Sequence, residues 1–475
     1  MRPPRPTPKP PVEVTIHGLD ADCIGAGTDA KGREWTLRGG IPGQRVLAGG
    51  RRKAGALLSL VEPAPDAVPP RCAQFGTCGG CLYQPMPRSA QQAAKAAALT
   101  TLLAPLGAGP PGIVGTDDAG YGYRNRLEFS FGVERFLTRD DQAREKSGEA
   151  IERQGRYLGL HGAGRFDRIV DVPDCSIADP EINRVLTRVR ADTLASPFPM
   201  WNAREQTGFW RHAGLRRGSE GVLVLVYTAL AGEAEAAWLA QHAPHWGAAA
   251  VLWYTTDRTS DAAVGDLRAV LHGEPRLAVS LGGVALRLSP LAFFQVNQSG
   301  AELLLDVIRT DLGAGGLLLD LYCGVGALGL ALHGSFEAVA GIDLVEEGIA
   351  EANRNAAALG VKADYRAGRA ELVLPALLAD HGVAAGREGR LAVLVDPPRS
   401  GLHPDALRTL ATLDADVLVY VACRPTSLAR DGATLLAAGW TCTRTTLVDL
   451  FPHTAHVEVV ARFERARATL AAELP

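Results

Sequence analysis

The chain carries eight cysteines, three of them within ten residues, as Cys72-x5-Cys78-Gly-Gly-Cys81. A metal ion or cluster needs several soft ligands converging on a point, and glycines let the backbone wrap that tightly. A fourth ligand must come from elsewhere, and Cys175 in Val172-Pro-Asp-Cys-Ser is the candidate. Zinc sites usually present two close pairs. Three close cysteines and one remote are nearer a [4Fe-4S] arrangement. Zinc, and reduced cysteines that bind nothing, stand as the alternatives.

A second set of motifs lies in the last third of the chain. Asp320-Leu-Tyr-Cys-Gly-Val-Gly326 sits where a strand should turn into a helix. Glycines there let a cofactor approach the backbone, and the helix start offers unpaired N–H groups. Asp343 ends the next strand, where a carboxylate can accept hydrogen bonds from ribose hydroxyls. Gly324, Gly326 and Gly329 also satisfy G-x-G-x-x-G, so a dinucleotide and S-adenosylmethionine are both open on this motif alone. Asp396-Pro-Pro-Arg-Ser-Gly401 follows a later strand. Two prolines stiffen the backbone behind the acid and hold the carboxylate at the ligand-binding end of the sheet. A nucleobase pocket uses such a fixed acceptor for a base N–H. Cys423 follows the strand after that. A lone cysteine there is ordinarily a small buried hydrophobe, but beside the other two motifs it is a candidate nucleophile. Glu458, in Phe451-Pro-His-Thr-Ala-His-Val-Glu458, alternates with apolar neighbours. It faces either solvent or the cleft, where it would be a general base.

These groups need elements to hold them. Residues 1–11 are Pro-rich and basic and read as a loose tail. Residues 12–62 are short apolar stretches broken by glycines, the pattern of a small β-barrel. Residues 1–60 hold ten Lys/Arg against five Asp/Glu, which makes the barrel either an RNA-binding module or a solvated, charge-rich surface. Residues 63–290 read as a mixed α/β middle region that carries the cysteines. It includes a helix over 89–106 and another over 180–194. Residues 291–475 alternate near-continuous apolar strands with helices, the mark of a parallel sheet covered on both faces. The fold class is therefore α/β: a C-terminal Rossmann-like domain, a mixed α/β centre and an N-terminal barrel.

Composition narrows the function. Hydrophobic residues make up 47% and charged residues 21% of the chain, and the formal net charge is -3. This excludes wholesale disorder and a uniformly polybasic chain. No apolar run reaches membrane-spanning length, and Met1 to Pro6 lacks the apolar core of a secretory signal. Both point to the cytoplasm, where thiols stay reduced and clustered cysteines suggest metal or catalysis.

Taken together, the motifs resemble the RNA uracil-C5 methyltransferase family. The matching pieces are Phe293-Phe-Gln-Val-Asn297, Asp320 to Gly326, Asp396 to Gly401, Cys423 with Pro425 and Leu428-Ala-Arg-Asp431, and Phe451 to Glu458. The barrel resembles the TRAM RNA-binding domain. The resemblance implies a C-terminal S-adenosylmethionine-dependent methyltransferase domain. It makes Cys423 the nucleophile, Glu458 the base and Asp396 the holder of the uracil edge. Gln295, Tyr322, Gly324, Gly326, Asp343 and Asp396 become cofactor contacts. Cys72, Cys78, Cys81 and Cys175 match the [4Fe-4S] ligands of the branch that methylates 23S ribosomal RNA, which implies RNA as the partner of a monomeric, cytoplasmic enzyme. Departures from the family pattern are Arg424 for the usual Asn, Ala327 for a small polar residue, Asp343 for Glu, and no clear acidic or amide cofactor contact in Arg366 to Ala370. The rival readings are a transfer-RNA uracil or an RNA cytosine-C5 methyltransferase, and a non-catalytic RNA-binding assembly factor.

Overall fold

The computed structural model describes residues 10–116, 118–162, 164–260, 262–383 and 390–465. The tail expected over residues 1–11 lies outside these, except for Pro10 and Pro11. Strands β1 (Val12–Leu19), β2 (Gly25–Asp29), β3 (Glu34–Leu37), β4 (Arg45–Arg51) and β5 (Ala54–Glu62) close into a barrel in the order β1-β2-β3-β5-β4. The period-2 alternation points Val14, Ile16, Trp35, Leu37, Val46 and Ala48 inward. Gly27 is required for closure: a Cβ there would lie 2.3 Å from the Thr15 carbonyl oxygen.

After the barrel comes α1 (Arg88–Leu103), then the short β6 (Gly112–Val114). The middle region follows as β7 (Arg126–Glu134), α2 (Arg139–Lys146), β8 (Gln154–His161), β9 (Ile169–Asp171), α3 (Pro180–Ala195), β10 (Trp210–Gly218), β11 (Gly221–Thr228), α4 (Glu233–His242), β12 (Ala250–Thr255) and β13 (Asp266–Gly273). Its strands form a seven-stranded sheet ordered β13-β12-β11-β10-β7-β8-β9. Trp210, Trp246 and Phe129 fill its core with α3. The hairpin β14 (Leu277–Leu281) and β15 (Val284–Leu288) leads into the last part of the chain.

There α5 (Gln298–Leu312), β16 (Leu317–Leu321), α6 (Ala327–Leu332), β17 (Ala338–Asp343), α7 (Glu346–Leu359), β18 (Ala363–Ala367), α8 (Ala370–Asp380), β19 (Leu391–Val395), α9 (Pro404–Thr412), β20 (Val417–Ala422), α10 (Pro425–Ala437), β21 (Thr441–Val448) and β22 (Glu458–Glu464) succeed one another. The eight-stranded sheet runs β18-β17-β16-β19-β20-β22-β21-β6. Strands β16 to β20 are parallel and β22 is antiparallel to both neighbours. Strand β20 shows why its sequence is apolar throughout. Val417, Val419 and Val421 face one core, with α5 and α7, and Leu418, Tyr420 and Ala422 face the other, with α1, α9 and α10. Strand order reverses between β16 and β19, and the crevice at that switch point is where such sheets bind ligands. Among the described residues, no helix is long and apolar enough to cross a membrane.

Two features cross the regional pattern seen in the sequence. Strand β6, far upstream, pairs in parallel with β21 at the edge of the last sheet. Helix α1 packs on the same sheet and buries Lys95 completely. The Lys95 Nζ donates to Asp449 Oδ1 at 3.1 Å, and Arg88 holds the other carboxylate oxygen. Burial opposes the charged form of Asp449, but Lys95 and Arg88 outweigh it and keep its carboxyl below the usual range. Asp449→Ala would strand a buried ammonium group. It is expected to lower unfolding free energy by about 3–5 kcal/mol, measured by urea denaturation. A loss under about 1 kcal/mol would match a surface pair instead.

Candidate active site

The C-terminal ends of β16, β17, β19 and β20 open on a cavity of about 960 Å³, a volume suited to a small organic ligand. Gln295, Tyr322, Gly324, Asp343, Asp396, Cys423 and Glu458 all line it. The structure therefore brings together the predicted catalytic residues and every predicted cofactor contact except Gly326, which sits one residue behind the wall.

Each residue has a local reason for its place. Asp320, next to last in β16, is fully buried, and its Oδ2 accepts the Gly329 N–H at 3.1 Å, which ties β16 to α6 across the glycine turn. Its Oδ1 has no partner. Burial, with Asp396 and Asp343 nearby, raises its pKa to about 8 against the pull of the Gly329 hydrogen bond. Tyr322 is a non-glycine residue at φ 62°, a strained conformation of the kind found at ligand sites. Its hydroxyl accepts the His403 N–H at 3.3 Å. Gly326, at φ 72°, admits no side chain, since a Cβ would sit 2.8 Å from the Tyr365 ring. Asp343 accepts the Gly324 N–H at 2.9 Å through Oδ2 and the Val345 N–H at 2.9 Å through Oδ1. It thus fixes the loop and still faces the cavity.

Register sets the candidate catalytic pair. Ala422 of β20 lies opposite Val459 of β22, so the next residue on each side, Cys423 and Glu458, stand across from each other. Glu458 is buried, not solvent-facing, and its Oε1 has no hydrogen-bond partner. Burial and the neighbouring Asp396 push its carboxyl well above the ordinary value. Burial raises Asp396 to about 7. Burial, then Glu458 and Asp396, raise the Cys423 thiol, while the Arg399 guanidinium pulls it down. In the ligand-free crevice burial thus favours the neutral form of all three groups, and Asp396 is poised near neutral pH.

Several lining residues were not singled out from the sequence. Arg399 lies in the Asp396 motif yet acts on Cys423, a placement visible only when two strand ends meet. Glu371, in the first turn of α8, and His403, just before α9, also line the cavity, and with Asp405 their ligand atoms lie within 4.8 Å of one another. Arg369 pairs with Glu371. Glu371 supplies an acid just past the stretch where none was evident. Arg424 is exposed and caps α10 without its side chain; its carbonyl oxygen accepts the Ser427 hydroxyl at 2.7 Å. That departure touches a helix end, not the cavity wall.

The cysteines border a second cavity, of about 480 Å³. Cys72, Cys78, Cys81 and Cys175 all line it, with Arg38 of the barrel, Arg124, Val296 and His456. Burial lifts the Cys78 and Cys175 thiols and takes Cys81 to about 12. The two cavities share walls: Gln295 and Phe451 line the first, and their near neighbours Val296, Thr454 and His456 the second. Asn297 is more than a junction after the Phe293 motif. Its Oδ1 caps α5 through the Gly300 N–H, and its Nδ2 donates to Leu450 O at 2.8 Å.

The family described as tRNA (Uracil-5-)-methyltransferase matches residues 383–466. An RNA methyltransferase of Caldanaerobacter subterraneus subsp. tengcongensis is 30% identical over 472 residues, 96% of this chain and 99% of that one. Another, from Chlorobaculum tepidum, is 31% identical over 96% of both chains. The Pyrococcus abyssi tRNA (uracil-54, C5)-methyltransferase, solved with S-adenosyl-L-homocysteine, shares the fold at TM-score 0.74 and 24% identity, over 95% of this chain and 100% of that one. With a thiol, two raised carboxyls and a glycine turn around one crevice, and relatives matched from end to end, the chain belongs to the RNA uracil-C5 methyltransferases, a family of enzymes.

Proposed function

We propose that this enzyme methylates C5 of a specific uridine in 23S ribosomal RNA, using S-adenosylmethionine. The observation that carries the reading is the register that sets Cys423 against Glu458, with Asp396 beside them. The donor's site fits: Asp343, Tyr322, Gln295 and the Gly324 backbone line the same cavity, next to the unpartnered Asp320 Oδ1. Bound there, S-adenosylmethionine supplies an electrophilic methyl group.

The chain's own residues manage the base. Uracil C5 is a poor nucleophile, and a thiolate adding to C6 makes C5 enolate-like. Cys423 forms that bond, with Arg399 favouring its thiolate. Asp396 holds the uracil edge by hydrogen bonds. After C5 is methylated, the ionised form of Glu458, disfavoured in the empty cleft, accepts the C5 proton, the C6–sulfur bond breaks and Cys423 leaves as the thiolate. The base reaches this cleft only by leaving its stack. The barrel, which presents exposed Lys31, Arg38, Arg51, Arg52 and Lys53, serves as the RNA-binding module.

Cys72, Cys78, Cys81 and Cys175 would hold the [4Fe-4S] cluster. Their place around one cavity supports this. Methyl transfer moves no net electron, so the cluster serves fold and RNA placement. The choice of ribosomal RNA follows from the resemblance carried by these four cysteines.

Anaerobically purified protein, incubated with unmodified 23S ribosomal RNA and with bulk transfer RNA, is expected to yield 5-methyluridine in the ribosomal RNA alone, mapped by mass spectrometry. Product in transfer RNA would overturn the substrate and keep the chemistry. Cys423→Ala is expected to abolish product. Glu458→Gln is expected to slow turnover by about 10²- to 10⁴-fold and to accumulate RNA bound covalently to protein on a denaturing gel; methylation that survives Cys423→Ala sinks the mechanism.

The same protein is expected to carry iron and inorganic sulfide in equal amounts and to lose both in Cys81→Ser. Zinc in a colourless protein would overturn the cluster.

The raised carboxyls also set a pH dependence of stability. Asp396 titrates at about 7 and Asp320 at about 8 in the folded, ligand-free protein, against about 3.9 unfolded. The folded state therefore binds more protons between those values, and stability falls as pH rises through them. Asp396→Asn is expected to flatten part of that decline in thermal unfolding, and an unchanged slope would refute the buried-acid account.

A further inference from the structure

The loop from Asp449 to Val457 delivers Glu458 to the cleft, and its middle residue, His453, is held from three directions. His453 sits at φ 65°, a conformation a non-glycine residue keeps only when its surroundings over-determine it. From the cysteine segment, the N–H groups of Leu82 and Tyr83 donate to its carbonyl oxygen at 2.8 and 3.0 Å. From α1, Gln91 Oε1 accepts its N–H at 2.8 Å, and Gln91 Nε2 meets its Nδ1 at 3.0 Å. From the opposite side, its Nε2 meets the Ala119 carbonyl oxygen at 2.9 Å, and the Tyr121 ring stacks on it at 4.2 Å.

These contacts define one tautomer. Gln91 Oε1 is committed to accepting a backbone N–H, so its Nε2 is a donor, and His453 Nδ1 must accept from it. Nε2 then carries the proton and donates to Ala119. Every polar atom of the residue is used, and none faces the cavity of the reaction. The Thr454 hydroxyl continues the brace, donating to Phe451 O at 2.9 Å and accepting the His456 N–H at 3.1 Å. Glu458 follows two residues on.

We infer that His453 is a positioning residue: through it, the segment that begins at Cys81 and runs into α1 clamps the Phe451–Glu458 loop and holds the Glu458 carboxylate in register with Cys423. The inference rests on the proposed roles of Cys423 and Glu458, and it adds a reason for the cysteine-bearing segment to abut the reaction cleft. The step it governs is proton removal from C5, which depends on where one carboxylate oxygen stands. The proposed cofactor contacts at Tyr322, Gly324 and Asp343 end or follow β16 and β17 and lie outside this loop.

The test uses the full chain and two variants, His453→Ala and Gln91→Leu; the second leaves the loop's own sequence intact should the first fail to fold. Both are expected to release the methylated RNA–protein adduct about tenfold more slowly, with KM for S-adenosylmethionine unchanged. His453→Gln, whose amide can donate in place of Nε2, is expected to recover part of the rate. Amide exchange at residues 454–458 is expected to quicken in both variants while β20 stays protected. Wild-type release with wild-type exchange in both variants overturns the clamp. So does a rise in KM that matches the loss of rate, since that would be general damage. If no adduct forms in the wild type and Cys423→Ala still methylates, the assigned mechanism fails. The exchange measurement then decides the clamp separately.

Discussion

Because β22 runs antiparallel between β20 and β21, the end of one strand meets the start of another at the mouth of the crevice. Ala422 opposite Val459 fixes that meeting. A slip of one residue would turn Glu458 to the other face of the sheet, since side chains alternate with period 2. The whole C-terminal sheet serves this register. The apolar residues of β20 anchor it from both faces, and the parallel strands beside it bring Asp396 and Asp343 to the same level. Cys423 and Glu458 are thus set across from each other by backbone pairing.

The crevice concentrates acids. Asp320 and Glu458 are buried and Asp396 half-buried, and all three titrate above their ordinary range, and Arg399 is the cation that bears on Cys423. Such a site is costly for the empty fold and is relieved when ligands supply hydrogen-bond donors or positive charge. A sulfonium donor and the N–H groups of a nucleobase have that character. The arrangement favours occupied over empty states without a moving lid.

The parallel strands and the ends of β17 and α7 were legible because sheets buried on both faces write themselves as unbroken apolar runs. Tyr322, Asp343, Asp396 and Cys423 were legible for a related reason: each ends or follows such a run, so the sheet's C-terminal edge collects them. What escaped was anything decided between distant segments. Lys95 sits in an Ala-rich helix and reads as a solvated lysine, but its ammonium is buried against Asp449. Strand β6 is three residues long and carries no period. Arg399 lies in a turn and Glu371 at the start of α8, where position follows from packing and not from alternation. Leu450 to Val457 joins the final two strands, and its place is set by contacts with α1, Asn297 and the cysteine segment.

The pairing of Lys95 with Asp449 joins residues 354 positions apart. Translation proceeds from the amino end at about 5–20 residues per second, so the lysine is made about 20–70 s before its partner. During that interval its charge has no carboxylate to accompany it into the interior, and α1 has to stay in water. The face of the C-terminal sheet that α1 will cover is still being made. The last tenth of the polypeptide therefore closes both ends of the molecule at once, and a nascent chain stalled before Asp449 would expose an apolar helix face and a bare sheet surface together.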